Sequence, residues 1–288
     1  MAKKKSTKIL SVVTNILLVV CLAVFGYSSY RIFAFQISRR VAAKEHDSIY
    51  NIIDIPTPSQ TDGEEDNTWK FTADSWKKLK EQNSDFQMFL RFDSGIISES
   101  VMQASNNDYY LRRSFYETYS EVGIPFMDFR CSTSDTNMTI YGHLVYYDNT
   151  LMFSPLTLLT DQVAFWENNT LKIYLEDEIR SYQVAYVYHY QLTDYDEYDY
   201  VVGNFSSKEA FERYMNYPKS HNMVYTGIEI EYGDRFVTFQ TCVKYHEEQR
   251  LIVVAKEISR EPYPVDPVAP DKDAHLDAGE ENTQTDGN

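Results

Sequence analysis

From Ile9 to Tyr30 the chain runs for 22 residues without a charged side chain, and no other feature constrains its fold as much. As an α-helix this run reaches about 33 Å, enough to cross a hydrocarbon core of roughly 30 Å. Ser11, Thr14 and Asn15 weaken the run without abolishing it. Lys3, Lys4, Lys5 and Lys8 precede it, which favours a cytoplasmic N-terminus and an exported remainder. Arg31, Arg39 and Arg40 on the far side pull the other way. The run is long for a cleaved signal peptide, so the expectation is an uncleaved single-pass anchor in the cell membrane over residues 1–35.

The charge distribution follows the same division. Residues 1–40 hold seven of the 27 Lys and Arg and no acid, so the rest of the chain sets 20 basic against 43 acidic side chains, a net −23. A body of that charge repels nucleic acid and anionic headgroups, and no nucleic-acid partner is expected. Cys21 lies in the apolar run, and Cys131 with Cys242 hardly makes a disulfide framework. A leftover thiol in an exported protein needs a reason, and catalysis is one.

Residues 36–53 read as a juxtamembrane helix, and 56–67, rich in Pro, Ser, Asp and Glu, as a spacer lifting the body off the membrane. Residues 72–82 have a helical pattern, with Trp76 and Leu79 on one face and Asp74 as the cap. From about Phe86 to Ser259 the chain breaks into short β-type runs, clearest at 138–147, 171–175, 182–192, 224–232, 236–245 and 251–258. They predict a mainly β, closed or nearly closed sheet. Within it Ser206 caps a helix over 206–216, Glu209 completes a capping box, and Phe205 staples to Ala210. Residues 260–288, starting in prolines and ending in acids, read as a disordered tail.

The sequence holds no Gly-rich phosphate loop, Gly-x-Ser-x-Gly, His-Glu-x-x-His or Cys-x-x-Cys. What remains is Cys242, at the end of the run Phe236-Val237-Thr238-Phe239-Gln240-Thr241-Cys242, followed by a charged turn. Arg250 opens the next run, and an antiparallel hairpin returns it to within reach of Cys242. A cation there lowers a thiol pKa and holds a developing oxyanion. His143 stands at another strand end, after Gly142, which permits close backbone approach. Taken singly, Cys242 is more often a buried structural thiol, His143 a core or loop histidine, and Arg250 a surface ion-pair residue. The run from Asp194 to Asp199 offers oxygen ligands for Ca²⁺ but lacks the glycine and ligand order of an EF-hand, so a solvated acidic loop is favoured. The 24 tyrosines suit a barrel filling better than sugar stacking.

Tyr141-Gly142-His143, Thr241-Cys242 and Arg250-Leu251-Ile252-Val253-Val254 together resemble the catalytic signature of sortases, and of class B in particular. The likeness runs from about Asn83 to Lys256, through Asn107-Asp108-Tyr109-Tyr110-Leu111, Gly123-Ile124-Pro125-Phe126-Met127-Asp128 and Met152-Phe153. It departs at Leu144, Phe89, Gln240 and the segment 97–100. The resemblance implies an eight-stranded sortase barrel with added helices over 71–259. It implies a Gram-positive cell-surface cysteine transpeptidase that cleaves a C-terminal sorting motif after Thr. The acyl group then passes to an amine of the cell wall or of a pilin, and the partners are sorting-signal-bearing surface proteins or pilins. Cys242 would be the nucleophile, His143 the proton donor, Arg250 the oxyanion stabiliser and Thr241 a substrate-positioning residue, with no metal or organic cofactor. Two other readings stay open: an anchored binding module with an inactive barrel, and a protease that only hydrolyses.

Overall fold

The computed structural model of the chain describes residues 2–53, 71–194 and 197–264. The apolar run and the juxtamembrane segment form one uninterrupted helix, α1 (Ala2–Ile52). It is the one helix among the described residues long and apolar enough to cross a membrane, and its apolar side chains from Val12 to Phe33 are exposed. Further along, α1 turns one face to the body. Ser38 and Ile49 are buried, Ser48 hydrogen-bonds Tyr116 at 3.1 Å, and Glu45 accepts from Ser114 at 2.9 Å. The body therefore docks on the helix at residues that precede the expected spacer; the spacer itself lies outside the described residues.

Eight strands close a barrel in the order β1-β2-β3-β4-β7-β8-β6-β5. They are β1 (Phe86–Phe92), β2 (Ser98–Met102), β3 (Phe126–Met127), β4 (Asn137–Tyr141), β5 (Thr170–Tyr174), β6 (Glu178–Gln191), β7 (Phe236–Val243) and β8 (His246–Pro262). Neighbours pair antiparallel except β2–β3 and β4–β7, which are parallel. Alternation sends Leu90, Val101, Ile140, Val187, Phe239 and Val253 to one interior core. The opposite side chains of β6 and β8 meet helix α4 (Lys208–His221) over a tyrosine cluster. There the Tyr188 and Tyr198 hydroxyls are 3.0 Å apart and Tyr190 donates to the Tyr198 carbonyl at 3.0 Å, so burial leaves none of these phenols unpaired. On the far side α1 and α2 (Ala73–Gln82) cover Phe86 and Phe89 with Ile49, Trp76 and Leu79.

Several local expectations shift. Thr72, not Asp74, caps α2, in a reciprocal box with Ser75. Ser207, not Ser206, caps α4: its backbone is extended and its hydroxyl accepts from the Ala210 N–H at 3.2 Å. The stapling contact is then Phe205 on Phe211, and the helix runs on to His221. β4 stops at Tyr141, and β8 continues to Pro262, past the end expected at Ile258.

The run 224–232 is not a strand. It flanks the part of β6 that outruns β5, but side chains make most of its bonds. Val187 donates to Asn222 Oδ1 at 2.8 Å and Thr226 donates to the Ala185 carbonyl at 2.9 Å, while Gly227 takes φ +70°. In the acidic run, Tyr195 and Asp196 lie outside the described residues; Asp194 accepts from Tyr217 at 2.7 Å and Asp199 from the Val201 N–H at 2.9 Å.

Candidate active site

The strand order β4-β7-β8 decides which side chains meet. Antiparallel pairing sets Cys242 directly opposite Arg250, so the two side chains leave the same face of the sheet about 5 Å apart at Cβ. Parallel pairing of β4 with β7 sets Tyr141 against Gln240, and the Gly142 N–H donates to the Gln240 carbonyl at 3.1 Å. His143 follows two residues past that last pair, as Cys242 follows Gln240, and both line the same cleft. The thiol thus stands on the middle of three adjacent strand ends, with an imidazole on one side and a guanidinium on the other. All three line one cleft of about 360 Å³, together with Asn107, Asp108 and Gln240.

Each group is held differently. His143 Nε2 lies 2.9 Å from the carbonyl of Leu111, at the end of a short 3₁₀ helix (Tyr109–Arg112). A carbonyl only accepts, so Nε2 carries the proton and Nδ1 is left to exchange one with a reacting atom. Burial lowers the His143 pKa, against the pull of the Leu111 bond, and the Arg112 charge lowers it further. The imidazolium is therefore a minority at pH 7, since an ordinary imidazole already titrates near about 6.5. Cys242 is half-buried and is not in a disulfide. Glu247–Gln249 bulge out opposite the Cys242–Val243 step, and the Arg250 guanidinium donates to the carbonyls of Glu247 and Gln249, each at 2.8 Å.

Two glycines make this approach possible. A Cβ on Gly142 would run into the Phe153 ring, so any other residue there forces that ring or the strand end to shift. Gly123, at φ +57°, backs the Leu111 carbonyl and the His143 ring together. Below them Asp128 is fully buried and gathers Tyr141 Oη at 2.7 Å, Asn107 Nδ2 at 2.9 Å and the Arg130 fork at 2.8–2.9 Å. Burial alone would raise the Asp128 pKa, but Arg130 and Tyr141 outweigh it and hold the carboxyl down to about 2. Sequence reasoning missed the Leu111 carbonyl, Gly123 and Asp128. The stretch holding Leu111 resembled class B sortases, yet nothing in it signalled a main-chain acceptor.

Thr241 is placed differently from its expected role. Alternation along β7 turns it inward with Val237 and Phe239, away from Cys242; it is fully buried and its hydroxyl has no partner among the described residues. It does not line the cleft, whereas Gln240 on the outer face does. A second cavity, of about 240 Å³, lies between α1 and the barrel, shares Gly123, and is lined by His46, Tyr50 and Glu99 among others. Burial pushes the Glu99 carboxyl up to about 8, so it is mostly protonated at pH 7.

No family model matches the sequence, and no curated protein matches it. Solved structures do. Clostridium perfringens sortase B is 29% identical with a TM-score of 0.58, covering 64% of this chain and 99% of that one. A mutant form of the same protein gives 26% identity and a TM-score of 0.64, over 75% of this chain and 98% of that one. Bacillus anthracis sortase B, in complex with AAEK1, gives 23% and 0.63, over 79% and 99%. The barrel is of the sortase type. More narrowly, it has the class B sortase-like fold.

Proposed function

We propose that the protein is a class B-like sortase, a membrane-anchored cysteine transpeptidase with Cys242, His143 and Arg250 as its catalytic residues. The observation that carries this reading is the convergence of those three side chains, from three neighbouring strands, on one cleft. The Cys242 thiol passes its proton to His143 Nδ1; the thiolate attacks the carbonyl carbon at the scissile bond, and the electron pair moves to the carbonyl oxygen. Arg250 exchanges a turn carbonyl for that oxyanion, an interaction worth about 3 kcal/mol in comparable sites. As the C–N bond breaks, His143 Nδ1 gives its proton to the leaving amine, and a thioester remains on Cys242. An incoming amine then attacks the thioester, gives a proton to His143 Nδ1, and expels the Cys242 thiolate, which restores the starting pair.

The substrate side rests on similarity. A Staphylococcus aureus sortase B has been solved as a substrate complex, and a sortase B with triglycine. Both support a sorting peptide as acyl donor and a peptide amine as acceptor, presented by surface proteins or pilins and by the wall or a pilin. α1 supports a single-pass anchor, with the N-terminal lysines inside and the barrel outside. Thr241 has no part in the reading, because its side chain faces the core.

The test is mass spectrometry of products from a sorting-peptide library with amine acceptors present. Wild type yields a transfer product, and a methanethiosulfonate on Cys242 abolishes it. Undiminished cleavage by Cys242→Ala would sink the assignment. Cleavage without any transfer product would make the protein a hydrolase, and a folded but inert wild type would make it a binding module.

A further inference from the structure

The charge-free run ends at Tyr30, yet α1 continues without a break. Little more than one turn later it is already against the barrel. Phe35 meets the ring of Tyr147 with centroids 6.2 Å apart, and Phe35 and Ala42 pack on Val122, Val145 and Met152. The Glu121 N–H donates to Ser38 at 3.3 Å, and Arg39 pairs with Asp148. At 1.5 Å per residue, Phe35 is only about 7 Å along the axis from Tyr30. A headgroup layer is roughly 5–8 Å deep on each side of the hydrocarbon. With α1 as the anchor, the Phe35–Tyr147 contact falls at headgroup depth, and the contacts of Ser38 and Arg39 with the loops 119–122 and 145–148 lie about 12–14 Å from Tyr30, at its outer edge.

What those loops expose is aromatic. Tyr119 is 67% exposed and Tyr147 87%; Tyr245, 78% exposed, joins them through ring contact with Tyr146 at 5.9 Å. Tyr30 and Phe33 on α1 are exposed at the same level. A single exposed tyrosine needs no explanation. A group of them ringing the exit point of an apolar helix does, because an apolar ring with a polar tip is the side chain that partitions to the membrane interface.

We propose that Tyr119, Tyr147 and Tyr245, with Tyr30 and Phe33, form a lipid-contacting surface that seats the barrel in the headgroup layer. This rests on the reading of α1 as a membrane anchor. Tyr147 lies four residues after His143 and Tyr245 three after Cys242, so the seated loops are those that flank the cleft. The net −23 of the body rules out attraction to anionic lipid as the cause, so the seat forms on zwitterionic lipid and resists salt.

The full chain in phosphatidylcholine nanodiscs tests this by nitroxide power saturation with oxygen and a water-soluble nickel chelate. One label goes on Tyr147→Cys in a Cys21→Ala, Cys242→Ala background, and a second on Tyr119→Cys. The reference is Asp177→Cys, on the turn before β6. That turn adjoins the cluster containing Ile49, about 21 Å further along α1 than Phe35. Native Cys21, labelled in Cys242→Ala, reports the anchor. The proposal expects an oxygen-to-nickel ratio several-fold higher at 147 and 119 than at 177, unchanged in high salt. Ratios at 147 and 119 equal to that at 177, with Cys21 in hydrocarbon, overturn the proposal alone. A Cys21 label as accessible to nickel as 177 overturns the anchor reading and the proposal with it.

Discussion

Replacing Gly123 by alanine separates the positioning of His143 from the proton transfer proposed for it. The backbone there is left-handed, at φ +57°, which costs a residue with a Cβ roughly 1–2 kcal/mol. The new methyl would stand 2.7 Å from the Leu111 carbonyl oxygen, 2.8 Å from that of Tyr110 and 3.1 Å from His143 Cδ2. Two of these three neighbours are main chain, so relief requires moving the 3₁₀ turn that presents Leu111. Breaking the 2.9 Å bond to His143 adds about 1 kcal/mol, for a total near 2–3 kcal/mol. Urea unfolding of the full chain in detergent reads that loss. Nitrogen-15 NMR of histidine reads the cause: wild type holds His143 as a single Nε2–H tautomer, and Gly123→Ala gives a mixture. The peptide-transfer assay should show kcat down about tenfold or more with KM little changed, because a misdirected ring fails at proton transfer rather than at binding. A variant that loses stability but keeps the single tautomer and the wild-type kcat would refute the role given to Leu111 and Gly123.

Two further outcomes follow from the same geometry. Arg250→Lys keeps the charge but loses the planar fork, and transfer should fall on the order of 100-fold in kcat with KM within a few-fold. A raised KM at full kcat would instead make Arg250 a substrate anchor. Glu99→Gln should stabilise the protein. The folded carboxyl titrates near about 8, far above its unfolded value, so stability drains away as pH rises from about 4.5 to 8. The gain, read by urea titration, should be near zero at pH 4 and exceed about 1 kcal/mol at pH 8; equal stability of the two proteins at pH 8 would count against a buried carboxyl.

The site was more legible than its surroundings. Cys242 and Arg250 are eight residues apart around a charged turn, so a hairpin alone brings them together. His143 needed the parallel β4–β7 pairing, which no local pattern announces; the family signature stood in for it. The Leu111 carbonyl and Gly123 stayed hidden because a main-chain acceptor and a left-handed glycine leave no side-chain motif. The run 224–232 misled for the opposite reason. Its β-branched and aromatic residues suit a strand, but Asn222 and Thr226 bond β6 through their side chains and Gly227 bends the backbone away. At α4 two adjacent serines offered the same chemistry, and only the bond from the Ala210 N–H distinguishes Ser207. Thr241 misled by adjacency: in a strand, the neighbour of Cys242 points to the other side.

Helix α1 contains no hinge between its apolar segment and the turns that grip the barrel. A protein on a flexible tether explores every bearing and must find the right one afresh at each encounter. With α1 as the proposed anchor, a splinted one has its tilt and its height above the bilayer fixed when it folds. Lateral drift and spin about the bilayer normal remain free, while pitch and roll are lost. A partner moving in the same plane then meets an opening held at one height and one inclination, and part of the angular search that limits protein encounters is already done.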